Sequence, residues 1–273
     1  MRRLAMAAVI LISILGLNCV PVVFTQLQTH SVRAKPLHAR LVISNQNGYV
    51  QLQPNTDSSV TLNLTRKVTG PDYNECKKRI ADILITVDSL SDSSQISVSV
   101  AVPTSVGLYS YGVDMDIRVP AYFLTDITNS NGQITVSDLT RDVKAYSSNG
   151  AVALTNIAAD VDVRTSNGKI DLDGIAGSVR GVTSNGKVTV DATLPDSGGY
   201  CRLETSNGEV KLTIPTLTSA QVYASTSNGQ ITVSNLNIHY TRQTKDYIEG
   251  TLGTGLNDIQ ITTSNGAITL TGR

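Results

Sequence analysis

Thr165-Ser166-Asn167-Gly168-Lys169-Ile170-Asp171-Leu172 is followed by Thr183-Ser184-Asn185-Gly186-Lys187-Val188-Thr189-Val190, the same phrase displaced by 18 residues. Fixed-period self-similarity is the mark of a repeat architecture. Working outward, Ser-Asn-Gly recurs with its asparagine at Asn131, Asn149, Asn167, Asn185, Asn207, Asn228 and Asn265. The steps are 18, 18, 18, 22, 21 and 37 residues. The last is close to two ordinary steps and predicts one repeat that has lost its motif. Three residues after each asparagine stands Ile134, Val152, Ile170, Val188, Val210, Ile231 or Ile268; five after stands Val136, Leu154, Leu172, Val190, Leu212, Val233 or Leu270. Alternation of aliphatic and polar residues, rich in β-branched side chains, predicts half-buried strands. Asn-Gly is read as supplying the positive φ angles of a tight turn. Each repeat is then strand, Ser-Asn-Gly turn, strand and second turn. Leu139, Ile157, Ile175 and Leu236, each eight after its asparagine, plug the second turn.

Asn45-Gln46-Asn47-Gly48 is a degenerate early copy, with Val50 and Leu52 at the same offsets. Pro71 to Ile83 is the one segment that reads as a helix, short and amphipathic. Two folds satisfy the pattern: a meander of hairpins, or a β-solenoid in which equivalent strands stack in parallel. Identical turns in every repeat favour the solenoid, because stacking aligns them into a ladder. The expectation is an all-β, single-stranded β-solenoid (β-helix) with Ser-Asn-Gly turns and one short helix near 71–83. About eight coils spaced roughly 4.8 Å apart make a rod on the order of 40 Å.

Composition bounds the rest. Of 273 residues, 40% are hydrophobic, too many for a disordered chain. Lys+Arg and Asp+Glu are 22 each, so no global field draws in nucleic acid. With no Trp and two Phe, the core must be built from small aliphatic side chains. Met1-Arg2-Arg3 followed by the uncharged run Leu4 to Leu17 reads as a signal sequence or membrane anchor over 1–25. Cys19 stands where a lipid-modified cysteine would, although Asn18 makes a poor lipobox. A linker over 26–37, an N-terminal β region over 38–120 and the regular repeats over 121–273 follow. Arg2 and Arg3 favour delivery of the remainder across the membrane. Export permits a disulfide between Cys76 and Cys201; the alternative is two unpaired buried thiols.

Repeated Thr-Ser-Asn-Gly-x-Ile/Val-x-Val/Leu, led by Val113 to Pro120 and closed by Gly250 to Gly255 and Ile259 to Gly266, resembles the bacterial putative-adhesin family of β-strand-repeat proteins. The resemblance covers about residues 38–273. It implies an envelope-associated, solenoid-like protein and carries over no catalytic motif.

No outward row contains paired carboxylates of the kind that β-helix lyases and hydrolases use. Arg164, Lys169 and Asp171 read as a solvated face. Asp114/Asp116, Asp160/Asp162 and Asp171/Asp173 lack the glycine-rich nonapeptide of calcium β-rolls. His30, His38 and His239 have no ligand cluster around them in the sequence. No cofactor, metal or nucleic-acid partner is expected, and no enzyme. The seven asparagines form the candidate binding surface for a cell-surface glycan or protein. The expected function is that of an exported adhesin or envelope scaffold held by its N-terminal segment. The alternative is a carbohydrate-active enzyme on the same fold.

Overall fold

The computed structural model describes residues 21–33, 39–89, 94–104 and 107–273. Readings that fall on residues 1–20 and 34–38, including Cys19 and His38, lie outside them. The chain is all-β with one short helix. That helix, α1, spans Tyr73–Arg79. Asp72 caps it by accepting the Glu75 N–H at 2.8 Å, and a 3₁₀ turn over Ile80–Asp82 ends it.

Each coil gives one strand to each of two sheets. One sheet runs, in spatial order, Val22–Arg33, Ser59–Gly70, Ser110–Pro120, Val50–Asn55, Ile134–Leu139, Val152–Ile157, Ile170–Ala176, Val188–Thr193, Val210–Ile214, Ile268–Gly272, Ile231–Ser234. The other begins Leu84–Ser89, Gln95–Ala101, Arg40–Asn47, Leu124–Asn131, Val143–Ser147, Val161–Thr165. It continues Val179–Thr183, Tyr200–Thr205, Asn257–Thr263, Ala220–Thr226, Tyr247–Leu252, His239–Gln243. The repeats pair in parallel and in register. Val152 lies between Ile134 and Ile170, and Val161 between Val143 and Val179. A hairpin meander would have paired consecutive strands antiparallel. The single-stranded β-helix of the sequence reading is therefore refined to a two-sheet coil, with antiparallel strands added at both ends.

Stacking fills the core with rows of like side chains. Twelve of the fourteen aliphatic positions after the turns are at most 2% exposed. The exceptions, Ile231 and Val233, lie in the last strand of their sheet, where no further coil covers them. Each fully buried Val, Leu or Ile contributes roughly 1.5–3 kcal/mol. Neighbouring coils are held mainly by this burial.

Four expectations are corrected. First, Val22–Arg33 is a strand, paired residue for residue with Ser59–Gly70. Phe24 is buried and meets Tyr73 edge-on at 5.6 Å. Residues 22–24 are thus not anchor, and 26–33 are not linker. Second, coils do not stack in sequence order. The closing coil, Asn257–Thr263 with Ile268–Gly272, lies between the coil that starts at Tyr200 and the coil that starts at Ala220. The 37-residue step is therefore no lost repeat. It contains the antiparallel pair His239–Gln243 and Tyr247–Leu252, which covers the far end of one sheet. Such caps are what an open stack requires. Third, Cys76 and Cys201 are free and both buried. Cys76 sits on α1 with its Sγ toward the Val22 carbonyl, whereas Cys201 faces the core many coils away. Burial pushes the Cys201 thiol up to about 12, so it is inert in the fold. Fourth, among the motif glycines positive φ is confined to the first two copies, Gly48 at +117° and Gly132 at +133°. Gly150, Gly168, Gly186, Gly208, Gly229 and Gly266 have ordinary φ angles, while Asp138, Asn156, Gly174 and Asn235 are left-handed. Those four stand seven after the repeat asparagine, just before the residue that plugs the second turn. The degenerate and the regular repeats share one core, and Arg40–Asn47 pairs with Leu124–Asn131.

Candidate functional site: a ladder of asparagines

The Ser-Asn-Gly turns superpose along one edge, and their side chains bond to one another. The Nδ2 of Asn131 donates to Asn47 Oδ1 at 2.8 Å and that of Asn149 to Asn131 at 2.9 Å. Asn167 donates to Asn149, Asn185 to Asn167 and Asn207 to Asn185, each at 2.8 Å. Asn265 donates to Asn207 at 2.7 Å, and Asn228 to Asn265 at 2.8 Å. All seven predicted asparagines are brought together and all are exposed. Asn47 is an eighth rung. It closes the ladder by donating to the Tyr111 carbonyl at 3.0 Å. The register of the degenerate first copy was the signal for this rung.

Two further rows explain the rest of the motif. The threonine two before the asparagine points inward and bonds the glycine carbonyl of the coil before it. Thr165 reaches Gly150 O at 3.1 Å, and Thr183 and Thr205 reach Gly168 and Gly186 at 3.0 Å. Thr226 and Thr263 do the same to Gly266 and Gly208. These hydroxyls are almost fully buried, so an unmade bond would be costly. The glycines stack directly on one another. A Cβ on Gly150, Gly168, Gly186 or Gly208 would lie 1.8–2.0 Å from the carbonyl oxygen of the preceding glycine. Glycine is required here by close backbone approach, not by turn geometry.

An amide has two N–H groups and two acceptor lone pairs. Each interior rung spends one of each on its neighbours, which leaves one N–H and one lone pair free to face outward. Beside the ladder lie the exposed Ser148, Ser166, Ser184, Ser206, Ser227 and Ser264. The amides and hydroxyls of the edge are thus a neutral array of donors and acceptors repeating at about 4.8 Å, with Lys169, Lys187 and Glu209 exposed just beyond their turns. A shallow depression lined by Ser227, Asn228, Gln230 and the Lys245-Asp246 loop lies at its far end.

Several of the outward charges pair among themselves, including Lys187 with Glu209 at 3.2 Å, just beyond their turns. Arg164 bonds Asp162 at 2.8 Å and Lys169 bonds Asp171 at 2.7 Å. Asp114 takes Lys67 at 3.1 Å, Asp160 accepts the Ser178 N–H, and Asp116 accepts the Tyr49 hydroxyl at 2.9 Å. Among the described residues no three His, Cys, Asp or Glu side chains gather to hold a metal ion. His30 lies in the first strand beside Gln28, and His239 is exposed on the terminal hairpin.

The Tyr49 phenol is pushed up to about 12, first by burial and then by its bond to Asp116 and the charges of Asp116 and Asp114. The raised value means that the fold favours the neutral phenol. That contribution is fully present below the ordinary value near 10 and is lost as pH rises toward 12. Tyr49 is expected to ionise late in an alkaline absorbance titration, in company with Tyr146 and Tyr247, whose phenols are also raised, and Asp116→Asn to advance the Tyr49 step alone. Unchanged titration in that variant would show that Asp116 does not hold the phenol.

The geometry defines a class: a parallel two-sheet β-solenoid with a polar turn ladder and capped ends. The chain belongs to the Toastrack DUF4097 family, whose match spans residues 55–271. Solved structures similar to it include a putative cell adhesion protein from Clostridium sporogenes, at 16% identity and a TM-score of 0.36, covering 90% of this chain and 100% of that one. A putative adhesin from Bacteroides fragilis aligns at 12% identity and a TM-score of 0.40, covering 90% and 97%. No curated protein matches the sequence.

Proposed function

We propose that the protein is an exported, envelope-tethered β-solenoid that binds an extended surface polymer, a glycan before a protein, along the asparagine ladder. It acts as an adhesin or surface scaffold and not as an enzyme. The observation that carries this reading is the ladder itself. Eight amides in one line, flanked by exposed serines, offer a repeated set of free donors and acceptors that are themselves uncharged. A linear polymer of hydroxyls meets such an array with many weak bonds, so that affinity grows with the length engaged. Ion pairing of the outward carboxylates to Arg and Lys speaks for a passive surface over an acid–base pair.

The full chain should bind members of an array of glycans, cell-wall fragments and matrix proteins. Ser166→Glu combined with Ser184→Glu should abolish that binding while leaving the unfolding midpoint unchanged, because both side chains are exposed. Absence of binding to every arrayed partner would overturn the adhesive role. Progressive loss of an arrayed glycan would instead establish the enzyme.

A further inference from the structure

The first strand follows the apolar N-terminal run without a spacer. Leu4 to Val20 contains no charged residue, Pro21 comes next, and Val22 is already paired with Gly70. Val22–Arg33 is the outermost strand of its sheet, and Leu84–Ser89 is the outermost of the other at the same end. The chain therefore enters the stack at its end face. Whether the run stays as an anchor or a lipid is carried on Cys19, the bilayer is within a few residues of that face, on the order of 10 Å.

The Val22 carbonyl is approached by Cys76 of α1 at 3.8 Å. Gly70, opposite Val22, packs against the Tyr109 ring, and a Cβ at Gly70 would overlap it. Arg79, at the end of α1, lies over the Tyr109 ring, 4.4 Å from its centre. Beside Tyr109, Leu108 is 78% exposed, while Leu84 is 64% and Val23 48% exposed. Lys77 and Lys78 are exposed on α1, where Lys78 and Arg79 share Glu75 at 2.8 and 3.7 Å and Lys77 is the further positive charge. Exposed leucines with an aromatic ring and basic side chains at their rim are the composition of a membrane-interface contact.

We propose that this end face rests on the lipid surface, with Leu108, Leu84 and Val23 in the headgroup region. The stack then stands off the bilayer and carries the far end of the asparagine ladder outward by about 50 Å, ten strand spacings. The proposal rests on the tethering part of the function proposed above and adds which face meets the membrane.

The chain has no tryptophan, so a single introduced one reports its own surroundings. Full-length Leu108→Trp, Leu84→Trp and Leu217→Trp chains are reconstituted with phosphatidylethanolamine–phosphatidylglycerol vesicles containing brominated lipid. Leu217 serves as the distal reference, being 94% exposed in the turn before the Ala220–Thr226 strand. Trp at 108 and at 84 should emit at shorter wavelength than Trp at 217 and lose most of their emission to bromine, while Trp at 217 loses none. Unquenched emission at 108 and 84 in protein that floats with the vesicles would overturn the apposition and leave tethering intact. Failure of the chain to float would overturn tethering and the apposition together.

Discussion

Gly168→Ala should cost about 3 kcal/mol of stability, far more than an ordinary surface substitution. The new methyl would sit 2.0 Å from Gly150 O and 2.6 Å from its carbonyl carbon. Both belong to the neighbouring coil, whose spacing is fixed by pairing along the whole strand. The coils would have to separate by more than 1 Å locally, on ordinary van der Waals distances. That separation pulls at the 2.8 Å bond from Asn167 to Asn149 and at the 3.0 Å bond from the Asn167 N–H to Ser148. Gly107→Ala is the informative comparison. Its φ of +73° is unfavourable to alanine, but nothing lies within 4 Å of the added carbon. It should cost only the left-handed penalty, about 1–2 kcal/mol. Denaturant midpoints of the two variants, read at constant slope, decide the matter. Equal effects would mean that the motif glycines serve turn conformation after all.

Ending the chain at Leu252 should do more than remove one repeat. The closing coil lies inside the stack, so its loss leaves the Ala220–Thr226 strand paired only with its own cap, Tyr247–Leu252. Residues 220–252 should then lose their amide protection together with the deleted segment. Tyr200–Thr205 would lose the partner of Cys201, which is Ile259. The Cys201 thiol, fully buried and pushed up to about 12, should become reactive toward a maleimide in the truncated chain and stay inert in the full one. Removing a coil from the end of a linear stack would spare everything upstream. An inert Cys201 with protected 220–252 in the truncated chain would refute the inserted arrangement.

Much of this was readable from residue order. Period-two alternation after each asparagine placed the buried rows correctly, and the exceptions, Ile231 and Val233, are those at an uncovered end. The ladder edge followed from the invariance of the turn, because identical side chains at one coil position must stack. The order of the coils was not readable. Ile259, Ile261, Ile268 and Leu270 carry the same alternation as every other repeat, and nothing local says which neighbours they join. The 37-residue step was misread because an excursion into a hairpin and a silent repeat have the same length. The role of glycine was legible only in the first two copies, where Gly48 and Gly132 have positive φ. Asn-Gly is a strong turn signal in hairpins, yet in a stack the nearest backbone belongs to another coil. The first strand was hidden by composition, since Val22, Val23 and Phe24 continue the apolar run before them.

The position of the closing coil decides the architecture, and engineered disulfides can measure it. Glu204 and Ser225 each oppose Thr262, on either side of the Asn257–Thr263 strand. Neighbouring strands are about 4.8 Å apart and disulfides span Cα separations of roughly 4.4–6.8 Å. The pair Glu204→Cys with Thr262→Cys should cross-link rapidly on mild oxidation. Glu204→Cys with Ser225→Cys, two strands apart, should not. Cross-linking of 204 to 225 but not to 262 would place the coils in sequence order and contradict the structure described.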